Sequence, residues 1–429
     1  MKNLLFQSLI TLLFMCHFCA LFAQEKNYFE QKEYRNYIAD KNIKTVQFFH
    51  QGDDLSMPLL LLNSSKKLLL SFDDLKNDPR NFAYKITQCD WDWKPLDNIF
   101  TDYLEGMEMN EIYDYYNSEN TQVPYTHYRL TIPNEDVRIT QTGNYIIQFY
   151  DADLADDIVL FQRRFQVIAP VLDISAQVIN SNLIRDGGRK QEVNFSFNYE
   201  KLNVTDPKNE LHVVVTQNAR WDLAREVDYT FRDDENLKYQ NDKNLFFSPL
   251  NEFRAFTIRD EKSVNLHVNN MQYIAPFYHA TLEMDGMNRG SVYQTNTDIN
   301  GAYTITADRT TNPNTQADYI FVHFNLDVPV DLADGIYVFG ALTDWDTTKE
   351  NMMFRVKEHR GYFADILLKE GIYNYAYGYK TAQDKDINLQ MFEGDHIETE
   401  NQYQIWVFYS PIGSRYSQLV GFTSLNSRK

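Results

Sequence analysis

Cysteine is almost absent from this chain: three in 429 residues, at Cys16, Cys19 and Cys89. The first two fall in an N-terminal leader, so the body keeps Cys89 alone. One thiol can form neither an internal disulfide nor a cysteine-based zinc site. Long apolar runs are also missing beyond the leader, and no stretch approaches the ~20 apolar residues of a membrane-spanning helix. There is no sustained helical periodicity and no repeat of fixed period, which excludes a solenoid or a propeller. Catalytic wording is lacking: there is no Gly-x-Ser-x-Gly elbow, phosphate loop or dinucleotide fingerprint after a strand. The body's histidines (His50, His127, His212, His267, His279, His323, His359 and His396) stand singly, without the close spacing of a metal pair. We therefore expect a protein that is not an enzyme and holds no metal or other cofactor. Positive charge is in deficit, with 41 Lys and Arg against 60 Asp and Glu, a net charge of −19. That balance excludes nucleic acid as a partner and disfavours docking on an anionic lipid surface.

What is present begins with the leader. Lys2 precedes a largely apolar stretch from Leu4 to Phe22, broken by Gln7, Ser8 and His17, and Leu21–Phe22–Ala23 before Gln24 serves as a cleavage site. Residues 1–23 read as a signal peptide for export. Neither Cys16 nor Cys19 follows the small residues that lipid attachment needs. Without a membrane span, a bound state at the envelope would be peripheral.

Hydrophobic residues make up 43% of the chain and aromatics 15%, ample for folding and rich in strand formers. Runs such as NYIIQFYD, LHVVVTQ, DYIFVHFNLDVP and YQIWVFYSP alternate with Asn, Asp, Gly and Pro breaks every ~8–12 residues. The expected class is all-β, built of tandem, immunoglobulin-like β-sandwich domains. The length suggests three domains. Borders are expected at Ala169–Pro170 and in the polar stretch between Thr306 and Asp318. The division is then 24–169, 170–316 and 317–429, with Asp206–Asn209 and Asp233–Asn244 as exposed loops.

The stretch from Tyr84 to Tyr150 carries the most information. In YKITQCDWDWKP, Cys89, Trp91 and Trp93 alternate with Asp90, Asp92 and Lys94, the pattern of a strand with one buried and one solvated face. Cys89 then reads as a small buried hydrophobe. The paired acids Asp90 and Asp92 share one face, unlike glycosidase carboxylates, which flank the scissile bond. The acidic run Asp151–Asp157 lacks the glycine and spaced glutamate of a calcium loop and reads as a solvated hairpin turn. His127 and His323 sit in aromatic strand text and are expected to be structural. Further on, TQNARWD and NEFRAFTIRD supply Trp221 as a core anchor and Arg254 and Asp260 as polar fixtures at domain edges, while FYSPIGSRYSQLVGF turns at Pro411–Ser414.

CDWDW, VPYTHYRLTIPNEDVR and GNY, with these later phrases, resemble the plug protein family of the type IX secretion system, the outer-membrane export machinery of Bacteroidetes. The resemblance spans nearly the whole body of the chain. Its signature residues here are Cys89, Trp91, Trp93, Tyr125, His127, Arg129, Asn134, Arg138, Trp221 and Arg254, all expected to be structural. It implies a periplasmic protein attached to a giant outer-membrane β-barrel translocon, closing that barrel while no substrate passes. Small molecules are not expected as partners.

From Tyr319 onward, IYVFGALTDWDTTKENMMFRVKEHRGYFADILLKEGIYNYAYGY resembles the early-set immunoglobulin-like sandwich and its glycogen-binding relatives. That resemblance aligns Trp345 with a sugar-stacking aromatic. An exposed indole can stack on a pyranose ring, so a glycan-binding protein using Trp345 is the alternative reading.

Overall fold

The computed structural model describes residues 34–428 apart from 77, 155–157, 182–189, 261–264, 330–331, 333–334 and 356–360. The leader, with Cys16 and Cys19, lies outside the described residues, as do His359 and part of the acidic run. Strand occupies 48% of the protein and helix 6%, in several antiparallel sheets consistent with tandem sandwiches.

In the N-terminal sandwich, one sheet runs Tyr37–Ile38, Phe161–Ile168, Gly143–Asp151, Phe82–Cys89, Met109–Glu111. The other runs Ile43–His50, Leu68–Asp74, Thr126–Ile132, Tyr115–Asn117. Alternation places Leu68, Leu70 and Phe72 between the sheets. Phe72 sits at the centre, stacked on Tyr128 at 5.0 Å and edge-on to Phe82 and Phe161 at 5.0 and 4.8 Å. Yet every residue from Leu68 to Asp74 is buried. Its outward face is covered too, by a second sandwich.

The remaining strands do not divide at Gln316. Leu211–Gln217 pairs in register with Gln402–Tyr409, and Thr216 donates to Gln404, 188 residues later, at 2.8 Å. One core joins Val213, Val215, Phe195 and Leu237 with Tyr403, Ile405 and Val407. Between these halves, a separate core joins Phe256, Ile258 and Leu282 with Ile320, Phe324, Tyr375 and Tyr377. The expected border at Gln316–Ala317 thus falls inside one core, because Tyr303–Ile305 and Tyr319–Leu326 serve its two facing sheets. We call the outer unit the host sandwich and the inner one the inserted sandwich.

Two expected loops contain regular structure. Pro207–Glu210 is a helical turn capped by Asp206, which accepts from the Lys208 amide. Within Asp233–Asn244, the strand Asn236–Tyr239 pairs with Lys190–Asn198 and buries Leu237 and Tyr239. Two apolar side chains at alternate positions suffice to recruit it to the sheet.

Candidate functional site

The signature residues converge on the seams between sandwiches. The strand through Cys89 stops there, so the expected continuation to Lys94 is corrected. Residues 90–94 form a tight turn closed by Asp90 N–H to Lys94 C=O at 2.8 Å and Trp93 N–H to Asp90 C=O at 3.0 Å. Side-chain oxygens of Asp90 and Asp92 accept from the amides of Trp91 and Lys94. These local bonds compete with the ladder and win. Trp93 takes a left-handed conformation, φ 71°. Asp90 and Asp92 are half-buried rather than freely solvated, and Asp90 also accepts from the Ser417 hydroxyl.

This turn drives its tryptophans into the host sandwich. Trp93 is fully buried, edge-on to Trp221 at 4.9 Å and under the Arg164 guanidinium at 4.5 Å. Trp221 also leans on Trp406 at 5.5 Å, and Trp91 stacks on His212 at 4.4 Å. Cys89, Ile146, Val214 and Trp406 complete this second core. Cys89 is the buried hydrophobe expected, and burial pushes its thiol pKa far up. Gly143, of the GNY phrase, has φ 130°, and a Cβ there would lie 2.9 Å from the Ser417 carbonyl oxygen. Only glycine allows the two sandwiches to approach this closely.

VPYTHYRL builds the seam to the inserted sandwich. Asp73 and His127 are opposite one another in neighbouring strands, and His127 Nδ1 lies 2.7 Å from Asp73 Oδ1. The other Asp73 oxygen accepts from Lys369 Nζ at 2.6 Å and from the Tyr319 hydroxyl at 2.7 Å, both in the inserted sandwich. Burial alone would raise the Asp73 pKa, but Lys369 and His127 outweigh it and hold it below its ordinary value. The ammonium of Lys369 also lies 4.1 Å from the centre of the Tyr125 ring. Tyr125 donates its hydroxyl to the Ala317 carbonyl at 2.8 Å, and Asp318 accepts from the amides of Gln122 and Val123.

The third seam joins host and insert. Arg220 and Trp221 are adjacent on one strand and point oppositely. Trp221 faces the N-terminal sandwich, while Arg220 lies 4.7 Å from the ring centre of Trp345 and 5.1 Å from that of Phe339. Trp345 is half-buried, edge-on to Phe339 and Phe253 at 5.5 and 5.8 Å. Its position in this seam sets a guanidinium against the face that a sugar would use.

Other signature residues serve locally. Arg254 is the hub of a buried network inside the insert, donating to Glu393 at 3.0 Å and Asp285 at 2.7 Å. Tyr375 and Tyr377 donate their hydroxyls to the same Asp285. Asn134 accepts from the amides of Asp136 and Val137 and shapes their turn. Arg138 makes a paired contact with Glu105 at the surface, and Arg129 is half-buried in the strand that carries His127. Sequence spacing gave no hint of two other meetings. His279 Nδ1 lies 2.9 Å from His323 Nε2, with His323 Nδ1 2.6 Å from Asp365, and Asp73 meets Lys369 across 296 positions. Among the described residues no group of three or more His, Cys, Asp or Glu is placed to hold a metal ion, and no helix is long and apolar enough to cross a membrane.

Comparison with known proteins agrees with this architecture. A crystal structure of a hypothetical protein from Parabacteroides merdae ATCC 43184 is similar at 30% identity and a TM-score of 0.88, over 92% of this chain and 99% of that one. No curated protein sequence matches. Residues 43–169, the N-terminal sandwich with its CDWDW turn and THYRL strand, match the family model for the type 9 secretion system plug protein 1st domain. On that match, residues 43–169 belong to the plug protein family of the type IX secretion system.

Proposed function

We propose that this chain is a non-enzymatic gate: it closes the periplasmic end of the large outer-membrane barrel of the type IX translocon while no substrate is in transit. It is exported by its signal peptide and held at the outer membrane through that barrel. The observation that carries the reading is the conversion of three sandwiches into one block by buried seams. A gate must resist deformation, and its aromatic surface must offer contact area at low entropic cost. The seams spend the most reactive-looking residues, Cys89, His127, Asp73 and Lys369, on cohesion. Deleting the protein from cells is expected to raise outer-membrane leakage of small dyes, and mild-detergent purification of a tagged copy is expected to bring down the barrel. Unchanged leakage together with no co-purifying barrel would sink the reading.

A further inference from the structure

Six of the nineteen exposed large apolar side chains among the described residues lie within 18 positions: Ile99, Met107, Met109, Tyr113, Tyr115 and Tyr116. Tyr113 is 76% exposed and Met107 64%. Tyrosine and methionine are enriched at protein contacts, and contiguous apolar surface on a soluble domain marks an interaction site. This stretch also supplies the outermost strand of each sheet of the N-terminal sandwich. Met109–Glu111 pairs only with Phe82–Cys89, and Tyr115–Asn117 only with Thr126–Ile132, among the described strands. The side of each strand away from its partner is therefore an open row of backbone donors and acceptors.

Sheet edges are ordinarily guarded by lysine or proline. Here neither occurs from Leu96 to Val123, nor does arginine, while seven acids do. Lys85 and Arg138, from outside the segment, pair with only two of them, Glu108 and Glu105. Two copies meeting edge to edge would oppose seven acids to seven acids, which disfavours self-pairing. The same charge favours a cationic partner and steers its approach.

We propose that residues 99–116 are a docking edge for an extended, lysine- or arginine-rich segment of another protein, which adds as a strand beside Tyr115–Asn117 or Met109–Glu111 with its side chains between the exposed tyrosines and methionines. Main-chain hydrogen bonds supply affinity and the acid–base match supplies register. Resting on the gate reading above, the proposal assigns this segment to the periplasm-facing side of the translocon barrel.

The test uses the full chain in its own envelope, with a photo-cross-linking residue at Tyr113 or Tyr116 and a control at Ile412, exposed on the host sandwich. Adducts with the barrel, mapped to a basic barrel segment, are expected from Tyr113 and Tyr116 and not from Ile412. Glu111→Lys combined with Asp114→Lys should cut barrel recovery at least about tenfold without moving the thermal midpoint, and recovery by the parent protein should fall with added salt. Barrel adducts from Ile412 alone, with recovery unaffected by the charge reversal, overturn the docking edge and leave the gate reading standing. Adducts only between copies of this chain also overturn the docking edge. Failure of every position and of co-purification overturns both.

Discussion

Asp73 and Lys369 belong to different sandwiches and meet at 2.6 Å with only 1% of each side chain exposed. Taking both charges out of water is costly, and removing one partner strands the other. Lys369→Met is therefore expected to lower unfolding stability by about 3–5 kcal/mol. Adding Asp73→Leu removes the stranded charge but also the acceptor of His127 and the Tyr319 hydroxyl, so it should recover only part of that loss. Urea titration followed by tryptophan fluorescence measures both. A Lys369→Met protein as stable as the parent would show that the seam does not depend on this pair.

Cys89 offers a direct probe of the host seam. Its side chain is fully buried beside Trp93, and only the thiolate reacts with maleimide or disulfide reagents. For protein lacking residues 1–23, which hold Cys16 and Cys19, we expect no labelling of the folded state over hours and one thiol per chain in denaturant. Rapid labelling of a natively folded sample would mean that the seam opens.

Trp93→Ala should destabilise by about 3–5 kcal/mol, the usual cost of emptying a large buried aromatic site. Because Trp221 meets the same ring edge-on, the double variant Trp93→Ala/Trp221→Ala should lose less than the sum of the single losses. Strict additivity would argue that the two rings are not energetically coupled.

Gly143→Ala combines a left-handed backbone with a collision at the Ser417 carbonyl oxygen. It is expected to destabilise by at least about 1 kcal/mol. The seam should loosen, which would show as faster labelling of Cys89. A neutral substitution would mean that the approach is not tight.

Two groups tilt stability with pH in the same direction. Contact with Asp285, at 3.1 Å, raises the His267 pKa more than burial lowers it. Its contribution is full below its ordinary value of about 6.5 and is lost as pH rises through the raised folded value. Asp298 is pushed up to about 6 by burial, although it accepts from the amides of Phe253 and Asn300. Its carboxyl is neutral in both states below about 3.9; between about 3.9 and 6 only the unfolded chain is charged, so stability is lost across that window and the loss is constant above it. Asp298→Asn should therefore gain on the parent by on the order of 2 kcal/mol at pH 8 and match it near pH 3.5. Unfolding midpoints of parent, His267→Gln and Asp298→Asn across that range test the sign.

The β class and the signature phrases were legible because alternation and turn residues act locally. Cys89 was legible as buried for the same reason. What Trp91 and Trp93 do was not, since a five-residue turn alternates its side chains much as a strand does, and only the hydrogen bonds of Asp90 and Asp92 distinguish the two. Tyr125 and His127 were expected to be structural from their strand text, but the contacts of Tyr125 with Ala317 and Lys369 lie about two hundred or more positions away, where no spacing rule reaches. The pairing of Leu211–Gln217 with Gln402–Tyr409 failed to show for the same reason: each strand is locally complete, and register between distant strands leaves no mark in either alone. Trp345 resembled a sugar platform because the sequence around it does not record what lies against its face.

That long-range pairing sets a schedule. The inserted sandwich holds all its own core strands between Arg254 and Tyr379 and can mature as soon as that segment is free. The host cannot, because Leu211–Gln217 stays an unfinished edge until residues 402–426 arrive. An unpaired, valine-rich strand is adhesive while it waits. A chain halted before Gln402 would therefore be a source of aggregates, not merely a shorter version of the molecule, and its cell would be under pressure to shield or destroy it.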